Sequence, residues 1–219
     1  MESVWKPRLM ARLVRQLCAI GAMTLVAASG CARPPARQIL FDSRPIAPET
    51  LTVQLVRQAV IITPREHDIV YRGPTIGVSE VVDLGAKGEA LGLKGGKGQH
   101  IRLGFLFGVR DRASGKVQHF VSFQSSAVEG MDRFASVHLA DGRPLRFTIA
   151  ASKVDPCIPP CFLVFETLIA AVPEADLRSV PDSGLPMFIT LDNGFTLPIR
   201  APAVYVRGYL AAVDAEAAG

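Results

Sequence analysis

The sequence predicts an all-β fold: a single antiparallel, β-sandwich-like domain closed by a short C-terminal α-helix. Three observations predict it. Ile101, Leu103, Phe105, Phe107 and Val109 alternate with Arg102, Gly104, Leu106, Gly108 and Arg110; after a turn at 111–116, Val117, His119, Val121 and Phe123 alternate likewise. Period two over two runs joined by a Ser-Gly turn marks a hairpin. Similar pairs follow at 134–139 with 145–151, across Asp141-Gly142-Arg143-Pro144, and at 187–191 with 195–199, across Asp192-Asn193-Gly194. Hairpins in series fold into sandwiches or barrels. The third observation is a stripe of Tyr205, Val206, Tyr209, Leu210 and Val213 at i, i+3, i+4 spacing behind Pro202, where a helix can begin.

The remaining elements follow in order. Residues 50–63 are rich in Val, Ile, Leu and Thr, and Leu51, Val53 and Leu55 alternate with Thr52 and Gln54. A helix with Val53, Val56 and Val60 on one face is the alternative, but the β-branched content favours a strand. Pro64 stops it. Short strands are expected at 68–72 and 76–84, with Gly73-Pro74 turning between them. Residues 162–171 are apolar on both faces and belong in the centre of a sheet. Glu166 is their only charge and shares a face with Phe162, Val164 and Leu168, so it is expected to be buried or at a rim. A structural partner for its carboxylate is the first explanation, and a functional role the second. Residues 174–180 read as a short helical turn. Gly208 weakens the terminal helix by ~1 kcal/mol relative to Ala.

Residues 85–98 hold six glycines and three lysines. A phosphate-binding loop needs Ser or Thr after Gly-Lys and a helix behind it, whereas Lys97 is followed by Gly98 and then by strand alternation. A solvent loop is expected, with contact to an anionic surface, peptidoglycan or lipid headgroups, as the alternative.

The N-terminus sets the compartment. Lys6, Arg8, Arg12 and Arg15 face the single acid Glu2, and an uncharged, mostly apolar stretch runs from Leu17 to Ala28. That length suits a secretory h-region of roughly 7–15 residues better than a membrane span of about 20. Ala28-Ser29-Gly30-Cys31 resembles the lipobox of bacterial lipoproteins. The resemblance implies cleavage before Cys31 and a diacylated Cys31 sulfur. Ala32, where an acid would signal inner-membrane retention, implies the periplasmic face of the Gram-negative outer membrane. An ordinary secretory signal or an uncleaved anchor are the alternatives.

The expected organisation is a signal peptide over 1–30, a lipid-anchored Pro-rich tether over 31–49, and one β-rich periplasmic domain over 50–219. Removing 1–30 takes away four cations and one acid from the formal charge of +4, leaving it near +1. A near-neutral domain has no general electrostatic attraction to nucleic acid. With Cys18 lost and Cys31 acylated, Cys157 and Cys161 remain in an oxidising compartment, and a disulfide between them is expected.

Residues 157–213 also loosely resemble the C-terminal part of the invasion-associated locus B type of envelope proteins. The shared features are a cysteine before Phe162-Leu163-Val164-Phe165-Glu166, the Gly-turn hairpin at 192–199, and Gly208-Tyr209-Leu210-Ala211-Ala212. That resemblance implies a β-sandwich with no known catalytic centre.

Catalytic and metal signatures are missing. No Gly-x-Ser-x-Gly and no His-Glu-x-x-His occurs. His67-Asp68 reads as a turn. His100 and His119 flank one hairpin and could approach across it, but no third ligand stands at metal-site spacing, so no metal and no cofactor are expected. Cys157 and Cys161 are separated by three residues, two of them proline, and precede a strand, unlike the Cys-x-x-Cys helix start of redox enzymes. The expectation is a non-catalytic binding or assembly module of the envelope. It would contact the membrane through its lipid and another envelope protein or a cell-wall component. The alternative is a periplasmic hydrolase with dispersed residues that include His67 or Glu166.

Overall fold

Helices and strands both build this chain. The computed structural model describes residues 45–83, 97–128, 133–156, 162–192 and 194–218, all within the compact unit Pro45–Gly219. They form two antiparallel sheets and three α-helices, which corrects the all-β expectation.

The first correction falls at the start of the domain. After a single 3-10 turn at Pro48–Thr50, α1 spans Val53–Ala59, where a strand is expected from the sequence. Thr52 caps it, its side chain accepting from the Leu55 N–H at 3.1 Å. Seven residues cannot sustain a helix in water, so docking must hold it. Val56 is fully buried and packs against Gly208 of the terminal helix, α3 (Ala203–Ala217). The chain then enters β1 (Ile61–Pro64) and turns into β2 (Asp68–Arg72).

The larger sheet has six strands in the order β1-β2-β4-β5-β9-β8, and β3 (Ser79–Asp83) also pairs with β4, making seven. β4 (Lys97–Asp111) is long enough to carry both β3 and β2 end to end along one side. β5 (Val117–Val128) returns along its other side. Asp111 closes their turn, its Oδ1 accepting from the Ser114 N–H at 2.7 Å, and Gly115 sits at φ +70°. As expected, β9 (Phe162–Val172) lies inside the sheet, between β5 and β8 (Phe147–Pro156).

The smaller sheet runs β11-β10-β6-β7, with β6 Phe134–Leu139, β7 Pro144–Leu145, β10 Leu185–Leu191 and β11 Thr196–Ala201. The hairpin expected between 134–139 and 145–151 is formed only next to its turn, at Val137↔Leu145 and His138↔Pro144. On that side β6 has only the two-residue β7, its other side pairing with β10, and the chain then leaves for the larger sheet as β8. Between β9 and β10 stands the short α2, Glu174–Arg178, at the place where a helical turn is expected.

One core serves both sheets and α3. Leu103, Leu106, Val121, Phe123 and Leu168 of the larger sheet share it with Met187, Ile189 and Ile199 of the smaller one and with Tyr205, Val206 and Tyr209. The apolar stripe read from the sequence is the face that α3 buries there. Among the described residues no helix is long and apolar enough to cross a membrane.

Candidate functional site

Beneath α3 lies a polar seam built on three tyrosines. The Tyr205 hydroxyl donates to the Pro74 carbonyl at 2.8 Å and accepts from the Leu106 N–H at 2.8 Å. That N–H lies at the bulge where the β4–β5 register shifts between Leu103 and Leu106, so the phenol serves backbone at the irregularity. The Tyr209 hydroxyl stands 3.0 Å from His119 Nδ1. At the far end of the helix, Tyr71 donates to the Glu216 carboxylate, which also accepts from Arg110 Nη1 at 2.9 Å.

Glycine makes room for these contacts. A methyl group on Gly108 would overlap the Tyr209 hydroxyl, and one on Gly208 would lie 2.6 Å from Val56 Cβ and 2.7 Å from the Val53 carbonyl oxygen.

Burial sets the ionisation of the seam. It pushes the phenols of Tyr205 and Tyr209 above the ordinary tyrosine range, so both remain neutral. It pushes His119 below the ordinary histidine range; the Arg178 charge acts the same way, and the Glu174 and Asp214 charges oppose it. Tyr71, by its hydrogen bond, and then Arg110 hold the Glu216 carboxyl down. Outside the seam Arg178 clamps α2 to α3, donating to Glu174 at 2.7 Å and to both Asp214 oxygens at 2.8 and 3.1 Å.

Chemically the seam is closed. His119 is 3 % exposed, and its Nε2 is buried with no partner among the described residues. A general base must come within hydrogen-bond reach of a substrate, and this imidazole meets only protein. The arrangement positions a helix.

The residues singled out in the sequence are not brought together. His67 lies in the β1–β2 turn, 85 % exposed and 3.7 Å from Glu66, as a turn residue should. His119 faces Gly108 across the hairpin, whereas His100 faces Ser126, roughly 25 Å further along β4 at about 3.3 Å per residue. The expected approach of these two histidines is therefore corrected. Glu166 is half-buried on β9, opposite Ser125 on one side and Ser152 on the other. Among the described residues no group of three or more His, Cys, Asp or Glu side chains could hold a metal ion. Cys31 and most of the 85–98 loop lie outside the described residues; Lys97 and Gly98 open β4.

The Cys157–Cys161 disulfide is also corrected. No two of the four cysteine sulfurs lie at or near bonding distance. Residues 157–161 are outside the described segments, but their sequence supplies a reason. Adjacent Pro159 and Pro160 favour an extended path of about 3.1 Å per residue, whereas a bridge needs Cα atoms within ~7 Å.

The open feature of the domain is elsewhere, on the α1–β1 edge. Ile61 is 60 % exposed, and Val53, Leu55 and Ile62 are each 39 % exposed. These are four of the six large apolar side chains that stand exposed among the described residues; the others are Ile149 and Phe195. β1 ends the strand order, so its outer side has no neighbour in the sheet. The Arg65 N–H bonds the Asp68 carbonyl, which makes Pro64↔Ile69 and Ile62↔Tyr71 the non-bonded pairs of the ladder. Pro64 therefore turns its missing N–H outward. Only Ile62 presents a complete donor and acceptor within the strand.

No family model, no curated protein and no solved structure matches the chain.

The seam residues Tyr71, Arg110 and Glu216 were not visible as a group in the sequence. One signal pointed to them. Glu216 falls on the same helical face as Tyr205, Tyr209 and Val213, and a carboxylate on a docking face needs a partner.

Proposed function

We propose that this chain is a lipid-anchored protein of the cell envelope whose sandwich-like domain works as a non-catalytic binding or assembly module. The observation that carries the binding part is the cluster of exposed Val53, Leu55, Ile61 and Ile62 within ten residues of chain. Isolated apolar side chains are ordinary on a surface, whereas a local concentration marks a contact site. The closed state of the His119–Tyr209 pair supports the same reading, because this buried imidazole is spent on packing. The anchoring part rests on Ala28-Ser29-Gly30-Cys31 and the basic, apolar leader before it.

The test is crosslinking in cells, comparing the full chain with a variant carrying Ile61→Asp and Ile62→Asp. The expected result is an unchanged melting temperature and loss of the envelope components, protein or phospholipid, that the wild type captures. An unchanged partner set, or a small-molecule turnover that the substitutions leave intact, would contradict the proposal.

A further inference from the structure

We propose that the α1–β1 edge lies against the phospholipid surface to which Cys31 tethers the chain. The inference rests on the lipid-anchor reading and names the partner of the exposed edge.

Three observations select a bilayer. The first is charge. From Leu51 to Arg65 the sequence contains no carboxylate, while Arg57 is exposed on α1 amid Val53 and Leu55. Glu49 and Glu66 are the nearest acids on either side. Aliphatic side chains beside an arginine suit an interface in which phosphates lie above acyl chains. The second is chain connectivity. Only residues 32–44 separate Cys31 from Pro45, and at about 3.1 Å per residue in an extended Pro-rich path they reach roughly 40 Å. The exposed edge begins eight residues further, at Val53, so its side chains are the exposed large apolar ones nearest the anchor along the chain among the described residues. Ile46 is strapped beside Ile76, its N–H bonding the Thr75 carbonyl at 3.0 Å, which fixes where the tether joins the domain.

The third observation argues against pairing with a second copy. Strand addition needs a run of outward N–H and C=O groups, and β1 is four residues long with Pro64 turned outward. The edge is blunted for backbone pairing and open for side-chain insertion.

The experiment uses the full chain reconstituted in vesicles of phosphatidylethanolamine and phosphatidylglycerol. A photoreactive benzophenone residue is placed at Ile61 in one sample and, as control, at Ile149 in another. Ile149 is 39 % exposed on β8, the opposite edge strand of the same sheet. After irradiation, phospholipid adducts are expected at least five-fold more often at position 61 than at position 149. Equal yields, or crosslinks from position 61 to a second copy, overturn the proposal. A repeat at Val53 guards against a fold defect at a single site. Intact mass before irradiation reads the acyl chains separately. An acylated chain without the position-61 adduct refutes the docking alone, whereas an unacylated chain that still forms the adduct refutes the anchor alone.

Discussion

Gly208 shows how a contact reverses what helix propensity alone implies. In an isolated helix Gly→Ala gains about 1 kcal/mol. Here the added methyl would press on Val56 and on the Val53 carbonyl at the α1–α3 contact. Overpacking of this kind costs about 1–3 kcal/mol, more than the propensity gain. Gly208→Ala should therefore lower the melting temperature by several degrees, and thermal denaturation followed by circular dichroism checks it; a rise would mean that α1 yields easily. His119 gives a second residue-scale prediction. Its folded-state pKa lies below its unfolded value near 6.5, because burial disfavours the imidazolium. The unfolded chain then binds more protons below that pH, so stability is full above about 6.5 and declines as the pH falls toward the folded value. The groups around the ring are Tyr209 and Asp214 of α3 and Glu174 and Arg178 of α2. Melting temperatures between pH 7.5 and 5.5 should fall more steeply for the wild type than for His119→Gln.

Among the elements, α3 was legible and α1 was not. The stripe from Tyr205 to Val213 announces a docked helix, and its spacing alone identifies the buried face. The hydroxyl partners of Tyr205 and Tyr209 could not be read, because Pro74, Leu106 and His119 reach them only through the folded sheet. At α1, Val53, Val56 and the following Val60 fit a strand as well as a helix, and their β-branching favours the strand. Tertiary contact decides otherwise, through Val56 seated on Gly208, a partner 152 residues further along the chain that local sequence cannot place beside it. The anchoring of α3 to the bulge in β4 has its own consequence. Tyr205→Phe would leave the buried Leu106 N–H unsatisfied, at a cost of about 1–3 kcal/mol. Urea denaturation should show a lower midpoint at unchanged slope; an unchanged midpoint would mean that another acceptor takes the bond.

At the scale of the whole molecule, alternation along the chain told which residues face inward but not which strands pair. The hairpins at 101–124 and 187–199 formed as expected because short turns dictate local partners. The pair expected across Gly142 is cut short after β7 because the chain changes sheets at Arg146, between β7 and β8, a step that leaves the period-two pattern unbroken. Of the site residues, the apolar cluster of the α1–β1 edge was present in the sequence but unremarkable there, since a central strand would show the same composition. Ile61 and Ile62 are exposed on the strand that ends the strand order, and Val53 and Leu55 on the helix before it. The proposed anchor is read without the fold, and it would govern what that edge can meet. Intact mass spectrometry of the protein extracted from membranes tests it most directly. The expected mass corresponds to a chain beginning at Cys31 and carrying acyl chains; a mass that retains Trp5, or one without lipid, would contradict the account.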